Sequence, residues 1–144
     1  MIVMIDTNVI LDFILHRQGY HNALKIMQLA ITDQELECVT STSITDIHYI
    51  VGRYKIDGKR VFSSREVQEL VHGLLKYLIV LETSEQDIDN AYRLNWEDYE
   101  DALMYSTSLS NGVDCIITNN VADFFNPDIP VVSPTDFLNK YYSV

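Results

Sequence analysis

Five short apolar runs rich in β-branched residues punctuate the chain, at residues 2–5, 37–40, 78–81, 114–118 and 131–132, and helical spacing fills most of the gaps between them. In YHNALKIMQLAITD the apolar positions Ala23, Leu24, Met27 and Ile31 recur at helical intervals. In SREVQELVHGLLKYL, Val67, Leu70, Val71, Leu74 and Leu75 do the same. Strands that alternate with helices pair in parallel through right-handed crossovers. The expected fold is therefore α/β: a three-layer α/β/α sandwich around a parallel sheet of about five strands. Residues 1–144 are expected to form a single domain, long enough to bury a proper core. The Asp57-Gly58 pair in KIDGKR signals a turn, and NPDIP a loop.

The composition narrows the class. Hydrophobic residues make up 47% of the chain, as in globular proteins. No apolar stretch approaches the roughly 20 residues of a spanning helix, and the N-terminus lacks the features of a signal peptide. A cytoplasmic protein without membrane contact is expected. Cys38 and Cys115 sit inside strand-like runs, which suits reduced core thiols. The four histidines form no zinc pattern, and no Walker A, G-x-S-x-G or G-x-G-x-x-G motif is present.

A net charge of −11 argues against broad electrostatic gripping of nucleic acid. The distribution is uneven. Arg53, Lys55, Lys59, Arg60 and Arg65 are five of the ten basic residues and lie in one short segment. They form either an ordinary solvated loop or a patch that contacts phosphates.

The acids are arranged more pointedly. In MIVMIDTNVILDFI a buried-strand pattern stops on Asp6, where ligand-binding groups of open α/β sheets gather. Asn8 is a candidate N-cap for the helix that follows. Asp46 lies in the first turn after the second strand, Asp98 and Asp101 at the start of the helix in EDYEDALMYSTSLSNG, and Asn119, Asn120 and Asp123 just past the fourth strand. In a parallel sheet all of these fall on one edge. Converging carboxylates without a basic neighbour suit a hard divalent cation, Mg²⁺ or Mn²⁺, with oxygen ligands. Such an ion acidifies water and stabilises charge on a phosphodiester, which points to metal-dependent hydrolysis. Each acid also has a local role open to it: Ser43 with Asp46, and Ser84 with Asp87, have capping-box spacing, and acids in a first turn suit the helix dipole.

Three pieces, MIDTNVILDFIL, TSITDIHYIV and DYEDALMYSTSLSNGVDCIITNNVADF, resemble the PIN domain, a fold of metal-dependent ribonucleases. The resemblance implies catalytic, metal-binding acids at Asp6, Asp46 and Asp101, with Asp98 auxiliary. The family's fourth acid falls on Asn120, which offers a carbonyl oxygen but no charge, and Asp123 is positioned to compensate. Thr7, Asn8 and Thr118 match positions that organise the site. Resemblance to the VapC-like toxin branch further implies an RNA substrate, a homodimer and a small inhibitory antitoxin. In this reading the Arg53–Arg65 patch becomes an RNA contact at the rim of an acidic pocket. Two other readings stay open: a PIN-like module that binds RNA or protein without cleaving, and a phosphatase-like enzyme with Asp6 as nucleophile.

Overall fold

A computed structural model describes residues 1–142; residues 143 and 144, the end of the expected domain, lie outside the described part. The chain runs β1 (Ile2–Ile5), α1 (Thr7–Leu15), α2 (Tyr20–Thr32), β2 (Glu37–Ser41), α3 (Ile44–Gly52), β3 (Lys55–Ile56), β4 (Lys59–Arg60), α4 (Ser64–Leu74), β5 (Ile79–Leu81), α5 (Glu85–Leu94), α6 (Tyr99–Ser110), β6 (Cys115–Ile117), β7 (Val131–Val132) and α7 (Pro134–Tyr142). Five strands form one sheet in the order β5-β2-β1-β6-β7, and every pairing in it is parallel. The three-layer expectation holds.

The layers follow from side-chain alternation along the central strands. Val3 and Ile5 of β1 join Cys38, Cys115 and Ile117 in a core covered by apolar residues of α1, α2, α3, α4 and α7. Met4 points the other way and joins Val39 and Ile116 in a second core, under Met104 and Tyr105 of α6 and Leu94 of α5. Both faces of β1 are thus covered, which is why it reads as an uninterrupted apolar run. Both cysteines are free and buried, and burial pushes the Cys38 thiol up to about 12.

Local signals set most boundaries, with two exceptions. Ser63 and Glu66 close a capping box at α4, and Ser84 and Asp87 close the expected one at α5. Ser43 and Asp46 do not, because the Ser43 hydroxyl is taken by hydrogen bonds to Thr7 (2.7 Å) and Ser41. Nor does Asn8 cap α1. The strand runs straight into the helix with Asp6 at the N-cap, and the Asp6 carbonyl accepts from Val9 (3.0 Å). The Asp57-Gly58 turn closes a small antiparallel hairpin, β3–β4, apart from the main sheet. Both turn residues have positive φ, 51° and 77°, the pairing that suits the strand twist of a tight hairpin.

Candidate active site

β1 sits at the point where the strand order reverses: the chain passes from it to β2 on one side and returns to β6 on the other. Ligand sites of open parallel sheets form in the crevice outside the carboxyl ends of the strands at such a point. Here the crevice is a cavity of about 590 Å³, and Asp6, Asp46, Asp98, Glu100, Asp101 and Asn120 all line it. No lysine, arginine or histidine does. Hydroxyls of Thr7, Ser41 and Ser43 make up the wall between β1 and α3, and Ile50, Ile88 and Met104 add apolar surface.

Asp6 follows directly from the end of β1. Its N–H donates to the Ile117 carbonyl (3.0 Å), extending the β1–β6 pairing one step past the strand. The residue is 8% exposed, and its carboxylate accepts the Thr118 hydroxyl at 2.7 Å. Burial pushes the Asp6 carboxyl above its ordinary range, against the pull of Thr118 and of the Asn8 and Thr7 backbone amides.

Asp98, Asp101 and Asp123 come together more tightly, each offering an oxygen within 4.8 Å of the others. Asp98 is also the N-cap of α6, and its Oδ1 accepts from the Asp101 N–H (3.0 Å). Asp101, one turn in, is 7% exposed. Burial, reinforced by the charges of Asp6, Asp98 and Asp123, pushes its carboxyl up to about 7. Asp101 Oδ2 is buried without a hydrogen-bond partner; the other such oxygen among the described residues, on Asp87, is in the α5 cap and does not line the cavity. An orphaned carboxylate oxygen beside two further carboxylates, with no cation near, fits a hard divalent ion that binds through oxygen.

The six expected ligands therefore divide. Asp98, Asp101 and Asp123 form the close group. Asp6 couples to Asp101 through its charge, whereas Asp46 and Asn120 line the cavity without joining the group. Asp123 is in the 3₁₀ turn Val121–Asp123, and its N–H donates to the Asn120 carbonyl (3.0 Å).

Residues 2–122 match the sequence model of the PIN domain. The chain belongs to the PIN domain family. Ribonuclease VapC1 of Aquifex aeolicus (strain VF5) is 26% identical over 145 residues, covering 96% of this chain and 94% of that protein. Among solved structures, VapBC-1 from nontypeable Haemophilus influenzae contains a chain similar to this PIN domain, with a TM-score of 0.69 at 18% identity, covering 94% of this chain and 99% of that one. A toxin-antitoxin complex from Klebsiella pneumoniae contains another, with a TM-score of 0.66 at 17% identity, covering 92% and 97%.

None of the five basic residues of the Arg53–Arg65 segment lines the cavity. Arg53 follows α3 and stacks its guanidinium over Tyr49, 4.1 Å from the ring centroid. Lys55, Lys59 and Arg60 are exposed on the hairpin, and Arg65 pairs with Glu69 one turn along α4 (3.3 Å). Tyr105 of α6 is buried against Trp96, its hydroxyl accepting the Asp128 N–H (2.8 Å).

Sequence reading passes over Asp12 and misses what it does with Asn119. Asp12 is buried in α1, and Asn119 Nδ2 donates to its Oδ2 at 2.8 Å. Asn8 takes part in the same corner, its Oδ1 accepting the Asn119 N–H (3.3 Å). These partners are more than 100 residues apart in sequence, so no local spacing could reveal them.

Proposed function

We propose that this PIN domain is a metal-dependent endoribonuclease and the toxin of a toxin-antitoxin pair. The observation that carries the reading is the buried, unpartnered Asp101 Oδ2 beside the Asp98 and Asp123 carboxylates, at the edge of a cavity that Asp98 and Asp101 line together with no basic side chain. Asp98, Asp101 and Asp123 would hold a Mg²⁺ or Mn²⁺ ion, with Asp6 adding charge from the end of β1 and Asp46 and Asn120 facing the same space. When bound, such an ion supplies acidification of water and stabilisation of the charge that develops on a phosphodiester.

The protein's own groups do the rest. Thr118 donates to Asp6 and fixes its carboxylate. Asp98 anchors the first turn of α6, and with it the position of Asp101. The linked hydroxyls of Thr7, Ser43 and Ser41 spend two protons on each other and leave one to donate to a phosphate oxygen, where further acids would repel the backbone. Single-stranded or looped RNA can lower a phosphate into such a recess, and the hairpin cations supply outer contacts.

Support for the ribonuclease and the antitoxin comes from likeness: the Aquifex relative is called a ribonuclease, and the Klebsiella structure is a toxin-antitoxin complex. A small antitoxin that occludes the cavity, a homodimer and a cytoplasmic site of action complete the reading. Among the described residues no helix is long and apolar enough to cross a membrane.

The test is incubation of purified protein with a mixed single-stranded RNA pool in EDTA, Mg²⁺ or Mn²⁺, beside Asp6→Asn and Asp101→Asn. Cleavage that needs metal and is lost in both folded variants sustains the proposal. No cleavage in any buffer, with no calorimetric binding of Mn²⁺, overturns it in favour of a non-cleaving binding module.

A further inference from the structure

Asp12 is the one buried aspartate on α1, yet it neither lines the cavity nor belongs to the carboxylate group. Its two oxygens are fully engaged elsewhere. Oδ1 accepts from Arg17 Nε (3.0 Å), and Oδ2 accepts from Asn119 Nδ2 (2.8 Å). Arg17 also reaches the Asn8 carbonyl (3.4 Å). Gly19 closes the corner: a Cβ there would clash with Asp12 Oδ2, and its φ of −83° is open to any residue, so the carboxylate alone excludes a side chain.

Asn119 belongs to a three-residue turn whose members each serve the cavity edge. Thr118 donates its hydroxyl to Asp6 and accepts the Asn120 N–H (3.0 Å). Asn120 lines the cavity. Asn119 has its backbone N–H on Asn8 and its side chain on Asp12.

We infer that Asp12 is a positioning residue, a charged anchor that, backed by Arg17, holds Asn119 and so keeps Thr118 on Asp6 and Asn120 at the cavity wall. Its catalytic consequence rests on the ribonuclease reading; the anchoring itself does not. Outer partners of ligand carboxylates commonly carry 10–100-fold of metal affinity or activity.

The experiment compares wild type, Asp12→Ala, Asn119→Ala and the exchange Asp12→Asn with Asn119→Asp, which reverses donor and acceptor while the amide oxygen introduced on α1 still accepts from Arg17. Three readouts are taken: amide exchange at Asn120, Mn²⁺ affinity by calorimetry, and the split between kcat and KM on RNA. In both alanine variants the Asn120 amide should exchange faster, Mn²⁺ binding should weaken about tenfold, and kcat should fall about tenfold with KM within twofold. The exchange double variant should recover most of each. Unchanged Asn120 protection in folded Asp12→Ala overturns the inference, as does failure of the exchange variant to recover it. If Asn120 behaves as expected while wild type neither binds Mn²⁺ nor cuts RNA, the anchor stands and the ribonuclease reading falls.

Discussion

Thr118 and Asp6 are 112 residues apart, and the hydroxyl of one donates to the carboxylate of the other at 2.7 Å in a buried setting. Together with the Asp6 N–H bond to the Ile117 carbonyl, this hydrogen bond ties the end of β6 to the end of β1 beside the cavity.

Replacing Thr118 with valine keeps the shape and removes the donor. Asp6 Oδ2 is then buried without a partner, which costs about 1–3 kcal/mol. Chemical denaturation should show that loss, and kcat on RNA should drop about 10–100-fold. Full activity in a destabilised variant would show that Asp6 needs no fixed partner.

The Asp101 carboxyl, pushed up to about 7 from an ordinary 3.8, makes a directional prediction about pH. Between those values the folded chain keeps a proton that the unfolded chain releases, so metal-free stability falls as pH rises from about 4 to about 7. Asp6, also raised, acts in the same sense; the lowered carboxyls of Asp33, Asp87 and Glu66 act in the opposite sense, and their contribution is complete once the unfolded carboxyls have ionised, at the lower end of that window. Asp101→Asn should flatten the decline and melt on the order of 3 °C higher than wild type at pH 8 in EDTA, the shift given by about 1 kcal/mol at this size. Adding Mn²⁺ at pH 8 should raise the wild-type melting temperature more than that of the variant. Parallel melting curves across pH would count against a strained acid at this position.

Gly19→Ala should destabilise the protein by about 1–3 kcal/mol through overpacking. In an Asp12→Ala background the same change should cost almost nothing, since the atom it meets is gone. Additive losses in the double-mutant cycle would mean that the carboxylate moves aside freely.

On the hairpin, Lys55, Lys59 and Arg60 make no ion pair among the described residues. Neutralising all three should raise KM for RNA while sparing kcat. The slope of log affinity against log salt should shrink by about 0.7 for each phosphate that is no longer neutralised. An unchanged KM and slope would make the patch an ordinary solvated surface.

Ser84 and Ser43 offer a matched pair. Ser84→Ala removes a working capping box and should cost about 1 kcal/mol with activity retained. Ser43→Ala removes no cap, but it breaks the hydroxyl chain to Thr7 and Ser41 at the cavity wall, so RNA affinity should fall more than stability. Equal effects of the two changes on both properties would argue against a binding role for that wall.

Those two serines also mark how far sequence reading reaches. Ser43 and Ser84 precede an aspartate by the same three residues, and only the second forms the box, because a residue 36 positions away competes for the first. β1 is legible because an apolar run ending on an acid describes both a doubly covered strand and its mouth. Asn8 reads as a cap and is not one, because its actual partner, the Asn119 amide, lies 111 residues downstream. The convergence of Asp98 with Asp101 follows from the three-residue spacing of an N-cap and its helix, whereas the approach of Asp123 depends on β6 lying beside β1. Strand order, and with it the Asp12 corner, is a property of the assembled sheet and leaves no trace in local spacing.

β1, made before every other strand of the sheet, is its middle strand, and its partner on one side begins only at Cys115. A chain emerging from the ribosome therefore carries Asp6 through the synthesis of β2 to α5 with neither Thr118 nor Asp101 in place. Local helices can form early, but the cavity cannot close until β6 and the turn behind it have emerged. The proposed activity is thus withheld from the nascent chain by topology alone, and the proposed antitoxin would have until the sheet is assembled to find its target.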